Sequence, residues 1–172
     1  AVGLALFSEK INKLIPPRSV SSHLNILLSH MENAEPSDQT NIANALHYSA
    51  EGITKRGLVI VISDLMDDTS KIINGLRHLR HKGHEVMVFH IIDQDEASFN
   101  FNERVKFIDS ETEEEITTDP WHITKDYIKL FNQYCNTLKH GCGKNRIEYI
   151  PIYTDQPLDS ALTELLLKRK NY

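Results

Sequence analysis

Gly57-Leu-Val-Ile-Val-Ile-Ser-Asp-Leu65 is the stretch on which the fold turns. Leu58 to Ile62 are apolar at every position rather than at alternate ones. That is the pattern of a strand buried on both faces, as in a parallel sheet covered by helices. Val86-Met-Val-Phe-His-Ile-Ile92 repeats it, Val2-Gly-Leu-Ala-Leu-Phe7 shares it, and Ile147 to Tyr153 carries it in weaker form. Helical periodicity fills the intervals. Val20, Leu24, Leu27, Leu28 and Met31 form one apolar stripe. Ile42, Ala45, Leu46, Ser49 and Ile53 form another, behind the polar start Ser37-Asp38-Gln39-Thr40. Ile72, Ile73, Leu76 and Leu79 follow Asp68 or Thr69 as N-cap and precede Gly83 as the stop. Ile123, Tyr127, Leu130, Phe131, Tyr134 and Leu138 make the longest stripe, with Gly141 as its expected end. Leu162, Leu165 and Leu166 make a last one behind Asp159. Val105 to Ile108 and Glu115 to Thr118 read as a hairpin, and Ile11 to Ile15 as a short strand. Strands alternating with helices of this length specify a layered α/β domain with a mostly parallel sheet.

The chain has 172 residues, 40% hydrophobic and 25% charged, with 7 Gly and 6 Pro. With no repeat and no dividing linker, residues 1–172 read as a single domain. The apolar content excludes low-complexity disorder. No apolar run reaches the roughly 18–20 residues of a membrane span, and no signal peptide opens the chain. With 19 basic against 24 acidic residues the formal charge is −5, and no basic stripe marks a nucleic-acid interface. Two cysteines do not make a disulfide framework. Free thiols in a reducing cytoplasm are the expectation, although Cys142, between Gly141 and Gly143, leaves a bridge to Cys135 formally open.

Ligands of open α/β sheets bind outside the carboxyl ends of the strands. There Asp64 leaves the second long strand, either as metal ligand or general base or as a loop carboxylate; Asp67 and Asp68 suit the capping role better. Thr40 opens a helix, where a hydroxyl is ordinarily a cap. Thr40 and Asp64 together would offer hard oxygens that suit Mg²⁺. Asp93-Gln-Asp-Glu96 reads as a solvated loop. His78, His81 and His84, flanked by Arg77, Arg80 and Lys82, read as a basic helix end rather than a zinc site. His23 and His30 share a spacing but have no further ligand nearby, and His90, inside an apolar strand, reads as a hydrogen-bonded core histidine. The glycine-rich phosphate loops, the nucleophile elbow and the zinc-protease helix motif are all absent. An enzymatic alternative, a metal-assisted phosphohydrolase using Asp64 with Asp67 or Asp93, rests only on strand-end carboxylates.

The segments Val2 to Ser8, Ile15-Pro-Pro-Arg18, Thr40-Asn-Ile-Ala-Asn-Ala-Leu46, Gly57 to Leu65 and Leu76 to His90 occur in this order. Together with Asp109-Ser-Glu-Thr-Glu113 and Thr154-Asp-Gln-Pro-Leu158, they resemble the bacterial DUF58 family, which is similar to von Willebrand factor A-type domains. The resemblance implies a three-layer Rossmann-like fold and a metal-ion-dependent adhesion site at the sheet's carboxyl edge. In that site Thr40 and Asp64 match the family's Thr and Asp ligands, an acidic group of a partner completes the Mg²⁺ (or Mn²⁺) shell, and the DxSxS motif supplies the rest. No DxSxS occurs here. In the family it precedes the strand that opens this chain, so the resemblance implies the C-terminal part of a longer protein, short of its first central strand, holding metal weakly or not at all. It further implies a non-enzymatic interaction module, with a MoxR-type AAA+ ATPase as partner class. A strand edge left unpaired would also invite a homodimer.

Overall fold

A computed structural model describes residues 1–8, 11–34, 41–101, 105–108, 115–118, 120–157, 159 and 163, with the backbone alone at 105–108, 115–118, 120 and 122. Its elements are β1 (Val2–Phe7), β2 (Ile11–Arg18), α1 (Ser22–Glu32), α2 (Ile42–Gly52), β3 (Leu58–Ser63), α3 (Thr69–His81), β4 (Glu85–Ile92), α4 (Gln94–Ser98), β5 (Val105–Ile108), β6 (Glu115–Thr118), α5 (Pro120–Lys144) and β7 (Glu148–Tyr153). The chain forms two compact units. The described residues of Ala1–Val59 and Met66–Val86 belong to the first; those of Ile60–Leu65, Met87–Ile108 and Glu114–Tyr172 belong to the second.

The fold is mixed α/β, with a three-stranded parallel sheet in the order β3-β4-β7, consistent with a Rossmann-like arrangement. β4 is its central strand, buried at Val86, Met87, Val88, Phe89, His90 and Ile92, as a run apolar at every position requires. β7 pairs with it from Met87 opposite Glu148 to Ile92 opposite Tyr153. Met87, Phe89 and Ile152 make a buried cluster against which Ile91 and Ile150 pack. β3 lies at the edge and departs from the expectation of two buried faces: Val61 is buried, but Leu58, Ile60 and Ile62 are exposed.

In the first unit, Val2–Phe7 does not join that sheet. β1 pairs antiparallel with β2, Leu4 opposite Ile15 and Ala5 opposite Leu14, as a separate two-stranded ribbon. An apolar run signals burial potential and not a partner, so β2, which carries Pro16 and Pro17 toward its end, captured a strand that its composition alone assigned elsewhere. Gly3 is required by this pairing, since a Cβ there would come 2.7 Å from the Ile15 carbonyl oxygen. The stripe in α1 is helical as expected, but only Leu27 and His23 are buried; Leu24, Leu28 and Met31 are exposed.

The α2–α3 pair forms the first unit's helical core. α2 buries Ile42, Ala43, Ala45, Leu46, Ser49 and Ala50, and α3 buries Ile72, Gly75, Leu76 and Leu79. Asn41 caps α2, its side chain accepting from the Asn44 backbone at 3.0 Å. Asp68 caps α3 by accepting from the Ser70 and Lys71 backbones at 2.8 and 3.1 Å. Gly83, at φ +90°, ends α3 with paired bonds, His84 N–H to Leu79 C=O and Gly83 N–H to Arg80 C=O.

In the second unit α5 packs on β7 and α4 packs on α5. Gly141 does not stop α5. The helix continues to Lys144, and the same paired capping bonds fall at its end, Ile147 N–H to Cys142 C=O and Arg146 N–H to Gly143 C=O. The left-handed position is Arg146, at φ +55°. β5 and β6 pair as the expected hairpin, Val105 opposite Thr118 and Ile108 opposite Glu115. The helix expected behind Asp159, with Leu162, Leu165 and Leu166, lies outside the described residues.

Candidate functional site

The carboxyl edge of the three-stranded sheet brings together the ends of β3, β4 and β7, and the groups there belong to one unit. β3 ends at Ser63, whose hydroxyl donates to Asp64 Oδ1 at 3.3 Å and accepts from the Leu65 backbone at 3.0 Å. This small turn leaves Asp64 exposed and buries Leu65 completely, in the left-handed conformation at φ +57°. A non-glycine residue in that region is unfavourable and persists only where the surroundings hold it.

One buried and one half-buried side chain do so. His90, on β4, places Nε2 2.9 Å from the Asp64 carbonyl oxygen. A carbonyl oxygen only accepts, so the ring proton is on Nε2, and Nδ1 accepts from the Tyr149 hydroxyl at 2.5 Å. The Tyr149 oxygen is also hydrogen-bonded to the Cys135 side chain. One residue further, the Leu65 carbonyl accepts from the Tyr134 hydroxyl. Successive carbonyls of the turn are thus tied down from β4 and α5. Burial holds His90 below its ordinary value of 6.5, opposed by the Asp64 carbonyl and the Asp64 charge, so the ring is neutral. Burial likewise pushes the Tyr149 hydroxyl and the Cys135 thiol up.

Asp93-Gln-Asp-Glu96 is not a loop. It is the start of α4, and its spacing is that of a capping box. Asp93 Oδ1 accepts from the Asp95 backbone at 2.8 Å, while Glu96 receives the Asp93 backbone N–H. Asp93 Oδ2 accepts from Thr154 Oγ1, beyond β7, at 3.0 Å. Burial raises the Glu96 carboxyl above its usual range, and the charges of Asp93 and Asp64 add to the rise. Glu96 therefore senses both Asp93 and Asp64, but Asp93 and Glu96 are engaged in the α4 cap.

Of the two residues matched to metal ligands, Asp64 stands at the sheet edge as expected, and Thr40 lies outside the described residues. Among the described residues, no three His, Cys, Asp or Glu side chains gather in a way that would hold a metal ion. The donors at this edge do not fit a finished Mg²⁺ site, because Asp93 spends both oxygens on local donors and Glu96 is a capping partner. His90 was legible as a core histidine needing a partner. Tyr134, Cys135 and Tyr149 were not, since they reach the turn from α5 and β7; the only signal pointing to them was the demand of a buried imidazole for two partners.

Among the described residues, no helix is long and apolar enough to cross a membrane. The family model for the protein of unknown function DUF58 matches residues 1–133. No curated protein and no solved structure matches the chain.

Proposed function

The chain belongs to the DUF58 family, and from that premise we propose that it is a protein-interaction module without chemistry of its own, offering the carboxyl edge of its sheet to a protein partner. The observation that carries this reading is the fixed turn at Asp64. Its backbone is held through the Asp64 and Leu65 carbonyls by His90 and Tyr134, while its carboxylate stands exposed. A carboxylate mounted on a rigid turn is preorganised for recognition, which lowers the ordering cost of binding. Hydrolytic chemistry needs a second carboxylate placed to act with the first, and Asp93 is occupied by Asp95 and Thr154. Thr40 and Asp64 supply only one hydroxyl and one carboxylate, so Mg²⁺ or Mn²⁺ is held only when further ligands, including an acidic group of the partner, complete the shell. A MoxR-type AAA+ ATPase is the partner class that the family resemblance supplies.

The test pairs a metal titration with partner binding. Mn²⁺ added to this chain alone is expected to bind no tighter than about 1 mM. Asp64→Ala is expected to weaken capture of a purified MoxR-type ATPase about tenfold while leaving the melting temperature in place. Equal capture by wild type and Asp64→Ala, or phosphoester hydrolysis that disappears in Asp64→Ala, overturns the reading.

A further inference from the structure

β3 is an edge strand of its sheet, and among the described residues no strand pairs with its outer side. The Gly57 carbonyl accepts the Glu85 N–H at 3.0 Å, so Gly57 turns its backbone groups toward β4. Backbone groups alternate in direction along a strand, so those of Leu58, Ile60 and Ile62 point outward. The same three residues form the exposed face of β3, at 40%, 45% and 58% exposure. Edge strands ordinarily carry charge or proline that discourages pairing. β7, at the opposite edge, has Glu148 and Pro151. Leu58 to Ile62 have neither.

The flanks of the strand decide what pairs with it. Lys55 and Arg56 precede β3, while Asp64 and Asp67 follow it, so the strand runs from a basic end to an acidic one. A parallel copy would set like charge against like. An antiparallel copy sets each end against its opposite. We propose that β3 is a homodimer interface, in which two copies pair edge to edge and antiparallel about a two-fold axis at Ile60.

The register follows from the outward residues. With the axis at Ile60, Leu58 lies opposite Ile62 of the partner subunit, and Ile60 lies opposite the partner subunit's Ile60. Each of these pairs exchanges both of its backbone bonds, because all three residues turn their groups outward. The same register places Arg56 opposite the partner subunit's Asp64 at each end of the ladder. Moving the axis by one residue would set Ile62 against Arg56, or Leu58 against Asp64. The patch is thus self-complementary, as a two-fold contact requires. Arg56 passes beside Gly83 in the single chain, and its exposed, flexible side chain turns from there to the partner subunit. Only Asp64, at the rim of this contact, is shared with the surface offered to the protein partner above, and self-association is read without that partner.

The experiment is light scattering with analytical ultracentrifugation of the full chain over a range of concentrations. A contact of one strand is small, so a weak dimer is expected, its mass rising from 19.7 kDa toward twice that value above about 0.1 mM. Ile60→Lys, at an exposed position, sets like charges face to face at the axis. It is expected to weaken association about tenfold or more and to leave the melting temperature of the dilute chain in place. Arg56→Asp and Asp64→Arg are each expected to weaken association about fivefold, and the double exchange to restore it, because opposite charges face each other again. Leu130→Lys, also exposed but on α5, is expected to leave association unchanged. A chain that stays monomeric to about 1 mM leaves this edge to a different strand and overturns the proposal. So does association that survives Ile60→Lys, that Leu130→Lys abolishes, or that the double charge exchange fails to restore.

Discussion

His90 Nε2 lies 2.9 Å from the carbonyl oxygen of Asp64, so a buried imidazole holds the backbone from which the exposed carboxylate departs. Replacing His90 by Phe keeps the ring but leaves the Asp64 carbonyl and the Tyr149 hydroxyl without this partner. Leaving buried polar groups unsatisfied costs about 1–3 kcal/mol. An unfolding free energy in urea lowered by that amount is expected; a value equal to wild type would mean that the ring contributes packing alone.

The same histidine gives stability a pH dependence whose sign follows from its environment. Burial holds the folded pKa of His90 below 6.5, so the unfolded chain takes up the proton first as pH falls. The contribution is complete above 6.5 and is lost as pH drops through 6.5 toward the folded value. The difference in unfolding free energy between wild type and His90→Phe should therefore shrink on acidification from about pH 8 to 5. A difference that stays constant over this range refutes the assignment.

The two capping turns respond in opposite directions to glycine exchange. Gly83 is at φ +90°, and a Cβ there would come 2.7 Å from Arg56 Nε, so Gly83→Ala combines strain with a contact that the Arg56 side chain must vacate. Arg146 is exposed at φ +55°, where an L-residue pays about 1–2 kcal/mol that glycine does not. Gly83→Ala is expected to destabilise by about 1–2 kcal/mol, and Arg146→Gly to stabilise by about 0.5 kcal/mol after the added chain entropy. Thermal unfolding of both variants checks the pair, and a destabilised Arg146→Gly contradicts it.

These caps mark where sequence reading succeeds and where it stops. Asp68 and Gly83 bound α3 as local chemistry dictates. α5 runs past Gly141, because glycine permits a left-handed turn but does not demand one; the turn forms at Arg146, beside Ile147, which is buried. β1 was legible as a strand and not as a partner of β2, since pairing is a long-range choice that composition does not encode. At the candidate site, Asp64 was legible from its place after a buried strand. The hydroxyls that fix its turn come from residues 69 and 59 positions away from their partners, Tyr134 from Leu65 and Tyr149 from His90. No periodicity links such distant positions.

Gly75 of α3 packs directly against Leu46 and Ala43 of α2. A Cβ added there would lie 2.8 Å from Leu46 Cβ and 3.3 Å from the Ala43 carbonyl oxygen. Alanine gains about 0.8–1.0 kcal/mol in helix propensity, against about 1–3 kcal/mol for overpacking two helices. The clash is expected to win, with Gly75→Ala less stable than wild type by about 1 kcal/mol. Because the nearest atom is Leu46 Cβ, the added change Leu46→Ala should give no rescue. Denaturant unfolding of the single and double variants decides this, and recovery in the double variant would place the clash elsewhere.

The two cysteines should behave as inert, separate thiols. Both lie on the continuous helix α5, seven positions apart, so their Cα atoms are about 10.5 Å apart along the axis. A disulfide accepts no more than about 7 Å, which settles the bridge that sequence alone left open. Burial pushes the Cys142 thiol up to about 11 and raises Cys135 as well, so both stay protonated at pH 8, where a thiol reagent needs the thiolate. Folded protein is expected to react slowly with Ellman's reagent at that pH, and to release both thiols once unfolded in urea. Rapid labelling of Cys142 in the folded chain, or an internal Cys135–Cys142 bridge found by mass spectrometry after mild oxidation, would show that the end of α5 opens where its capping bonds at Arg146 and Ile147 should hold it closed.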